Sequence, residues 1–490
     1  MIPYRVRGTR RGTEGDRVGR IDELRRSSPL ALLVGVAAAS VGVIYGYDLS
    51  NIAGALLFIE DDVQLSAGAQ ELVATAAVIG EIVGAAGGGW LANTIGRKKS
   101  MVAVAAAYAV FALLGAASIS IPMLLVARLL LGVAIGVSVV VVPVFVAESV
   151  PASVRGSWLV AYGLTSVVGI IGGYLIAYLL AGIHGWRWML GLAAVPALLV
   201  LLLLAKVPDS ARWYMIKGQV DDARRTLRRV EPRTDADAEL AEIARALREE
   251  EREHVGVLRE MLQAPYLRAT VFVVLLGFFI QITGINAFVY YSPRLFEKMG
   301  FTGDFALLVL PALVQVAALV AMFFSLYLVD RVGRRPLLLW GISVMVAANV
   351  VLISVFAAGS VFGDALAAVK FAGVLLFTVG YTFGFGSLVW VYAGEALPSR
   401  LRSMGSSAML TSDLIANAIV VSAFLTMLTR LGGGATFAVF GALALASFVF
   451  VYRYAPETKG RQLEDIRHFW ENGGRWPAEI PTTVRVTETV

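Results

Sequence analysis

Long apolar blocks alternate with short polar breaks along most of the chain, as in Leu30–Ile44, Met101–Ala117 and Leu190–Ala205. Roughly 20 apolar residues cross a bilayer as a helix. Twelve segments fit that measure: 30–56, 70–92, 101–119, 122–147, 157–181, 187–205, 269–296, 305–329, 336–357, 366–393, 404–429 and 433–454. The pattern breaks once, over 206–268, where thirteen basic and thirteen acidic residues gather. Within it, Asp221–Val230 and Ala238–Arg252 read as amphipathic surface helices. The expected fold is an all-α polytopic membrane protein of two six-helix bundles. Its parts are an arm 1–28, a bundle 29–207, a helical linker 208–268, a second bundle 269–456 and a tail 457–490. The polar stretch 461–490 is expected to lack structure.

Composition agrees with the pattern. Hydrophobic residues make up 58% of the 490 and charged residues 16%, with a mean hydropathy of +0.74. A soluble chain is ~25% charged, and one this apolar would expose large greasy patches. The absence of cysteine excludes disulfides, thiol catalysis and cysteine metal sites. His184, His254 and His468 all fall in predicted loops, which argues against a histidine metal centre. No metal or cofactor is expected, and no catalytic set of an enzyme is found.

The net charge of +6 does not point to nucleic acid, because the basic residues concentrate on one side of the membrane. Residues 1–28 carry eight Arg against four acids, and the first loop, around Glu60, Asp61 and Asp62, has no Lys or Arg. The next loop holds Arg97, Lys98 and Lys99. By the positive-inside rule both termini are cytoplasmic, in a multi-pass protein of the plasma (bacterial cytoplasmic) membrane. The lipid bilayer is the expected partner, and the expected state is a monomer.

The two halves echo each other. Glu148, Pro151 and Arg155 recur as Glu395, Pro398 and Arg402 at an offset of 247, and Gly96-Arg97-Lys98 recurs as Gly333-Arg334-Arg335 at an offset of 237. Pro208-Asp209-Ser210 has a relative in Pro456-Glu457-Thr458. Two such halves are the layout of a rocking-bundle transporter, whereas a channel needs no repeat of this kind.

The motifs GYDLS (46–50), TIGRKK (94–99), ARLLLG (127–132), PVFVAESVPASVRG (143–156), PDSARW (208–213), QITGINAFVYYS (281–292), DRVGRR (330–335), WVYAGEALPSRLR (390–402) and PETKGRQLEDI (456–466) cover residues ~30–466 in order. As a set they resemble the sugar porter family of the major facilitator superfamily. The resemblance implies alternating-access transport of a sugar or polyol. It leaves open a proton-coupled symporter and an uncoupled facilitator or exporter. A non-transporting sensor would need a signalling domain, which neither 206–268 nor 461–490 offers.

Three sets of residues carry the expected chemistry. Glu148, Arg155, Glu395 and Arg402, with Arg97, Arg334 and Asp209, form a charged belt at the cytoplasmic ends of the helices. Ion pairs between the halves would latch the inner mouth there. Weak pairs suit that task, since exposed ones contribute only ~0–1 kcal/mol.

Asp48 and Arg128 lie well inside helices 1 and 4. An intramembrane charge is costly and normally has a partner. The resemblance places these two at the proton-binding acid and its tuning arginine, where facilitators carry an amide in place of the acid. A static salt bridge is the alternative.

The third set lines the substrate cavity. TGIN (283–286) interrupts helix 7, and unwound backbone is tolerated at membrane depth only where it lines a cavity or buried protein. Gln281, Asn286 and Tyr290 follow at spacings of five and four, and amides suit adjacent sugar hydroxyls. The resemblance adds Trp390 as an apolar face for the sugar ring. Tyr45 and Tyr291 are expected nearby, with Gln315 and Asp413 as further polar groups. Where hexose porters usually carry Gln, Gln, Asn and Trp, this chain has Ile280, Gly163, Ala318 and Leu414. Glu81 in helix 2 and Asp413 in helix 11 are additional intramembrane acids, each a second proton site, a substrate ligand, or a protonated or water-exposed acid.

Overall fold

A computed structural model of the protein describes residues 28–63, 65–232, 235–253, 257–397, 401–461 and 463–476. The arm 1–27, His254, Pro398 and the tail from 477 onward lie outside the described residues.

Twelve helices among the described residues are long and apolar enough to span a membrane. In the first half they are α1 (Pro29–Ile59), α2 (Ala67–Ile95), α3 (Arg97–Ala116), α4 (Ile121–Ser149), α5 (Val154–Ala181) and α6 (Trp186–Ala205). The second half holds α7 (Leu267–Tyr290), α8 (Phe305–Val332), α9 (Arg334–Ala357), α10 (Val361–Trp390), α11 (Arg402–Arg430) and α12 (Gly432–Tyr454). Each follows from an apolar block, and most ends carry a physical stop. Ser66 caps α2 and Ser120 caps α4, their hydroxyls accepting from the amides of Ala69 and Met123. The turns α2–α3 and α8–α9 pass through Gly96 (φ +107°) and Gly333 (φ +111°), a backbone region that side chains rarely adopt.

The linker joins the halves through short helices, including Val220–Val230 and Ala236–Glu253. It lies on the face where α6 ends and α7 begins, called here the linker face. The polar tail differs from expectation. It opens with a helix, Leu463–Glu471, that also carries His468. Trp470 of that helix is buried and donates to the Ala396 carbonyl at 2.7 Å.

Among the described residues, the shared apolar core of the two halves lies toward one side. A single apolar core runs from the far-face portions of α1, α2, α5 and α6 (Ile52, Leu56, Val73, Tyr174, Met189) into the second half (Phe288, Tyr291, Phe424). The linker-face portion of the first half has a separate core, from Val34 and Met101 to Val146 and Leu204. The bundle is therefore closed at the far face and parted toward the linker face.

Polar contacts reinforce that closure. Glu71 of α2 accepts from the Thr426 amide at 2.7 Å and the Thr426 hydroxyl at 2.6 Å, both on α11. Arg294, just after α7, donates to Gln70 at 3.3 Å and to the Leu56 carbonyl at 3.0 Å. Tyr174 of α5 donates to the Val289 carbonyl at 2.5 Å. Hydrogen bonds to charged groups contribute ~1.5–3 kcal/mol, so Glu71→Ala is expected to open the far face by roughly ten- to a hundred-fold in population. The chain has no cysteine, so a single cysteine introduced beside Thr426 reports this as faster labelling from the far side. Unchanged labelling would mean that the apolar core alone holds the closure.

Candidate functional site

Asp48 and Arg128 meet inside the first half. Arg128 donates from both terminal nitrogens to the two Asp48 oxygens, at 2.6 and 3.1 Å. The residues are 1% and 2% exposed, so the pair stands away from bulk water. A small cavity beside it, lined by Asn51, Phe111, Leu131 and Leu190, has room for about one water. Two opposite charges in a fork-to-fork geometry satisfy each other, and removing either would strand the other in a poorly solvated place.

The helix break forms where TGIN places it. Gly284 sits in the left-handed region (φ +104°), separating Leu267–Ile282 from Ile285–Tyr290. A Cβ at Gly284 would stand 2.8 Å from the Phe440 ring, so the position tolerates no side chain. The break turns Gln281 and Asn286 toward α11. Gln281 Nε2 lies 3.5 Å from Asp413 Oδ2, and Asn286 Nδ2 donates to Asn417 Oδ1 at 3.0 Å. Asn417 is a site residue that the sequence reading missed. Its signal was an amide one helical turn beyond Asp413.

Several polar atoms here have no hydrogen-bond partner among the described residues. They are Gln281 Oε1, Asp413 Oδ1, Glu81 Oε1 and the hydroxyl of Tyr290. Tyr45 is within reach of the charges of Glu81, Asp413, Tyr162 and Tyr290. Gln315 is buried on α8 (7% exposed). Trp390 is 50% exposed, on the linker-face side of the site. Tyr291 departs from expectation. It is fully buried, its hydroxyl donates to the Val421 carbonyl at 2.8 Å, and its ring stacks on Phe424. Tyr291 is a packing residue of the far-face core rather than a cavity residue.

That difference gives a test. Asn286→Ala is expected to weaken substrate binding by ~1–3 kcal/mol, because sugar hydroxyls lose a buried amide partner. Tyr291→Phe should leave binding nearly unchanged and instead lower stability by ~0.5–1.5 kcal/mol. Ligand titration and thermal unfolding of purified protein separate the two. Equal, small effects on binding would place the substrate elsewhere.

The charged belt is built twice, once in each half. Arg97 pairs with Glu148 at 2.8 Å, and Ser210 donates to Glu148 at 2.6 Å. Arg334 pairs with Glu395 at 3.1 Å, and Thr458 donates to Glu395 at 2.6 Å. Asp209 accepts from the amides of Arg97 (3.0 Å) and Lys98 (3.3 Å), and Glu457 from those of Arg334 and Arg335 (both 3.1 Å). Each acid thus sits at a helix N-terminus, where the free amides favour it.

These pairs lie within the halves, and among the described residues the belt acids make no ion pair across to the other half. The belt instead ties α3 to the end of α4 in one half and α9 to Glu395 after α10 in the other. Arg155 is exposed and near Glu239 of the linker, not Glu148. Arg402 opens α11 half-buried and, like Arg155, makes no ion pair with the belt acids among the described residues. No group of ligating side chains fit to hold a metal ion occurs among the described residues.

Two six-helix halves, closed at one face around a buried polar site, define a secondary transporter of the alternating-access class. Residues 34–470 match the family of sugar (and other) transporters, and the chain belongs to that family, as a sugar porter of the major facilitator superfamily. It is similar to the galactose-proton symporter of Escherichia coli K12, at 35% identity over 443 residues, covering 90% of this chain and 95% of the relative. The arabinose-proton symporter of the same organism is 32% identical over 447 residues, covering 90% and 94%. Among solved structures, the inward-open xylose transporter of E. coli matches with a TM-score of 0.77 at 25% identity, covering 90% and 100%.

Proposed function

We propose that this protein imports a sugar or polyol together with a proton, with the linker face toward the cytoplasm. The observation that carries this reading is the Asp48–Arg128 pair, made while the bundle is closed at the far face. An acid that has given up its proton pairs with arginine, and an acid that holds one does not. A symporter opening to the cytoplasm has just released its proton there, so the paired state belongs with the linker-open conformation. When the halves rock and the far face opens, withdrawal of Arg128 would let Asp48 take a proton from outside. The positive-inside distribution of Arg97, Lys98 and Arg334 supports the orientation, and the similar galactose- and arabinose-proton symporters support the coupling.

The substrate would lie between Gln281, Asn286, Tyr290 and Asn417 on one side and Tyr45 and Tyr162 on the other, with Trp390 toward the cytoplasmic opening. Gln315 and Asp413 complete the polar lining. The belt of Arg97, Glu148 and Asp209 and its repeat at Arg334 and Glu395 would keep each half rigid as it rocks. Arg155 and Arg402 remain to meet partners across the mouth when it closes.

The test is uptake into proteoliposomes under an imposed pH gradient, acid outside. Accumulation above the equilibrium level, abolished by a protonophore, is the expected result. Uptake that only equilibrates, whatever the gradient, would make the protein a facilitator.

A further inference from the structure

Asp48 is neutralised by Arg128, but two other acids in the same region are not neutralised by any side chain. Glu81 of α2 is 1% exposed and Asp413 of α11 is 5% exposed. Neither makes an ion pair among the described residues, and one carboxylate oxygen of each has no hydrogen-bond partner. They lie on helices that pack against each other across the two halves, within reach of each other's charge. The other charged groups facing Glu81 are Asp48 and Arg128, which are already committed to one another.

A second observation concerns the neighbouring acceptor. Gln281, 9% exposed, turns its amide nitrogen to Asp413, and its carbonyl oxygen is left without a donor. Three buried acceptors from α2, α7 and α11 thus lack a donor among the described residues, and the cation nearest Glu81, Arg128, is held by Asp48. Buried charge at membrane depth needs a counter-charge, and buried acceptors need donors. A single proton would neutralise one acid and supply one donor. An ammonium group carries a full positive charge and three N–H donors.

We propose that Glu81 and Asp413 make the central site selective for a sugar or polyol bearing a cationic amino group. The ammonium would sit between the two carboxylates and the Gln281 carbonyl. The ring hydroxyls would bind the Asn286–Asn417 amides and the Tyr290 hydroxyl, which also lacks a partner. This inference rests on the sugar-transport reading and narrows its substrate class. It also accounts for the missing neutral hydroxyl-binding groups at Ile280, Ala318 and Leu414, since a charge-assisted contact replaces several neutral ones.

The experiment is counterflow competition in proteoliposomes with D-glucosamine, D-galactosamine, their N-acetyl forms and the parent hexoses, at mildly acidic pH. In the wild-type protein the free amines should compete at least tenfold better than both the parent and the N-acetyl sugars. In Glu81→Gln and Asp413→Asn that amine-to-hexose ratio should fall at least tenfold, and the ratio is independent of how much folded protein each preparation holds. Amines competing no better than the parent hexoses would overturn the proposal while leaving sugar transport intact. So would ratios that survive both substitutions, or a loss of proton stoichiometry with the ratio unchanged, which would make the acids a second proton site. Exchange of no neutral or amino sugar by folded protein would instead overturn the sugar-transport reading itself.

Discussion

Asp48→Asn is expected to abolish accumulation of substrate against its gradient while exchange across the membrane continues. In the proposed mechanism the Asp48 carboxylate carries the coupled proton, and an amide cannot take up or release a proton in its place. The amide does keep an oxygen for Arg128 to donate to, where alanine would strand the guanidinium in a buried site at a cost of ~3–5 kcal/mol. The Gln281–Asn286 region lies on α7 in the other half, so counterflow reports that the site and the rocking motion survive. One charge moving through 100 mV supplies ~2.3 kcal/mol, about fifty-fold accumulation of a neutral solute, and this is the factor that should disappear. If the Asn variant still accumulates substrate on a pH step, Asp48 is not the coupling group, and the unpaired acids Glu81 and Asp413 become the candidates.

Features carried by local pattern were legible in the sequence, and features set by partner choice were not. The twelve apolar blocks and the break at Gly284 depend on runs of neighbouring residues, and each has its counterpart in the structure. Asp48 and Arg128 were readable as a pair because two intramembrane charges in one bundle have few other ways to be satisfied. The belt was different. Glu148 and Arg155, seven residues apart, were read with their counterparts Glu395 and Arg402 as a latch between the halves. Glu148 pairs instead with Arg97, on a helix 51 positions earlier. Only the fold brings α3 beside the end of α4, so no spacing rule could have named that partner. Tyr291 was misread for a related reason. It follows Tyr290, but Tyr290 leaves its hydroxyl unpaired at the site, whereas Tyr291 points into the aromatic core around Phe424. The helix Leu463–Glu471 was missed because its composition is polar, and the few apolar residues that dock it, Ile466, Phe469 and Trp470, make too short a pattern to stand out.

D-glucose is expected to be a poor ligand, about ten- to a thousand-fold weaker than the best sugar or polyol. The structure gives the sequence departures a physical form. Ile280, Ala318 and Leu414 are all buried and offer no hydrogen-bonding group. At Gly163 a side chain would meet the Met322 methyl group from α8 at 3.2 Å, a contact that a small shift of that flexible chain relieves. Three missing hydrogen bonds at ~0.5–1.5 kcal/mol each give the stated range. Asp413 and Asn417 supply polar groups from α11, on a side of the cavity where they cannot restore those of α5 and α8. Competition binding on purified protein, with glucose set against pentoses, polyols, uronic acids and amino sugars, measures the difference directly. Glucose emerging as the tightest ligand would mean that the α7 and α11 amides rebuild a full hexose site without help from α5 and α8.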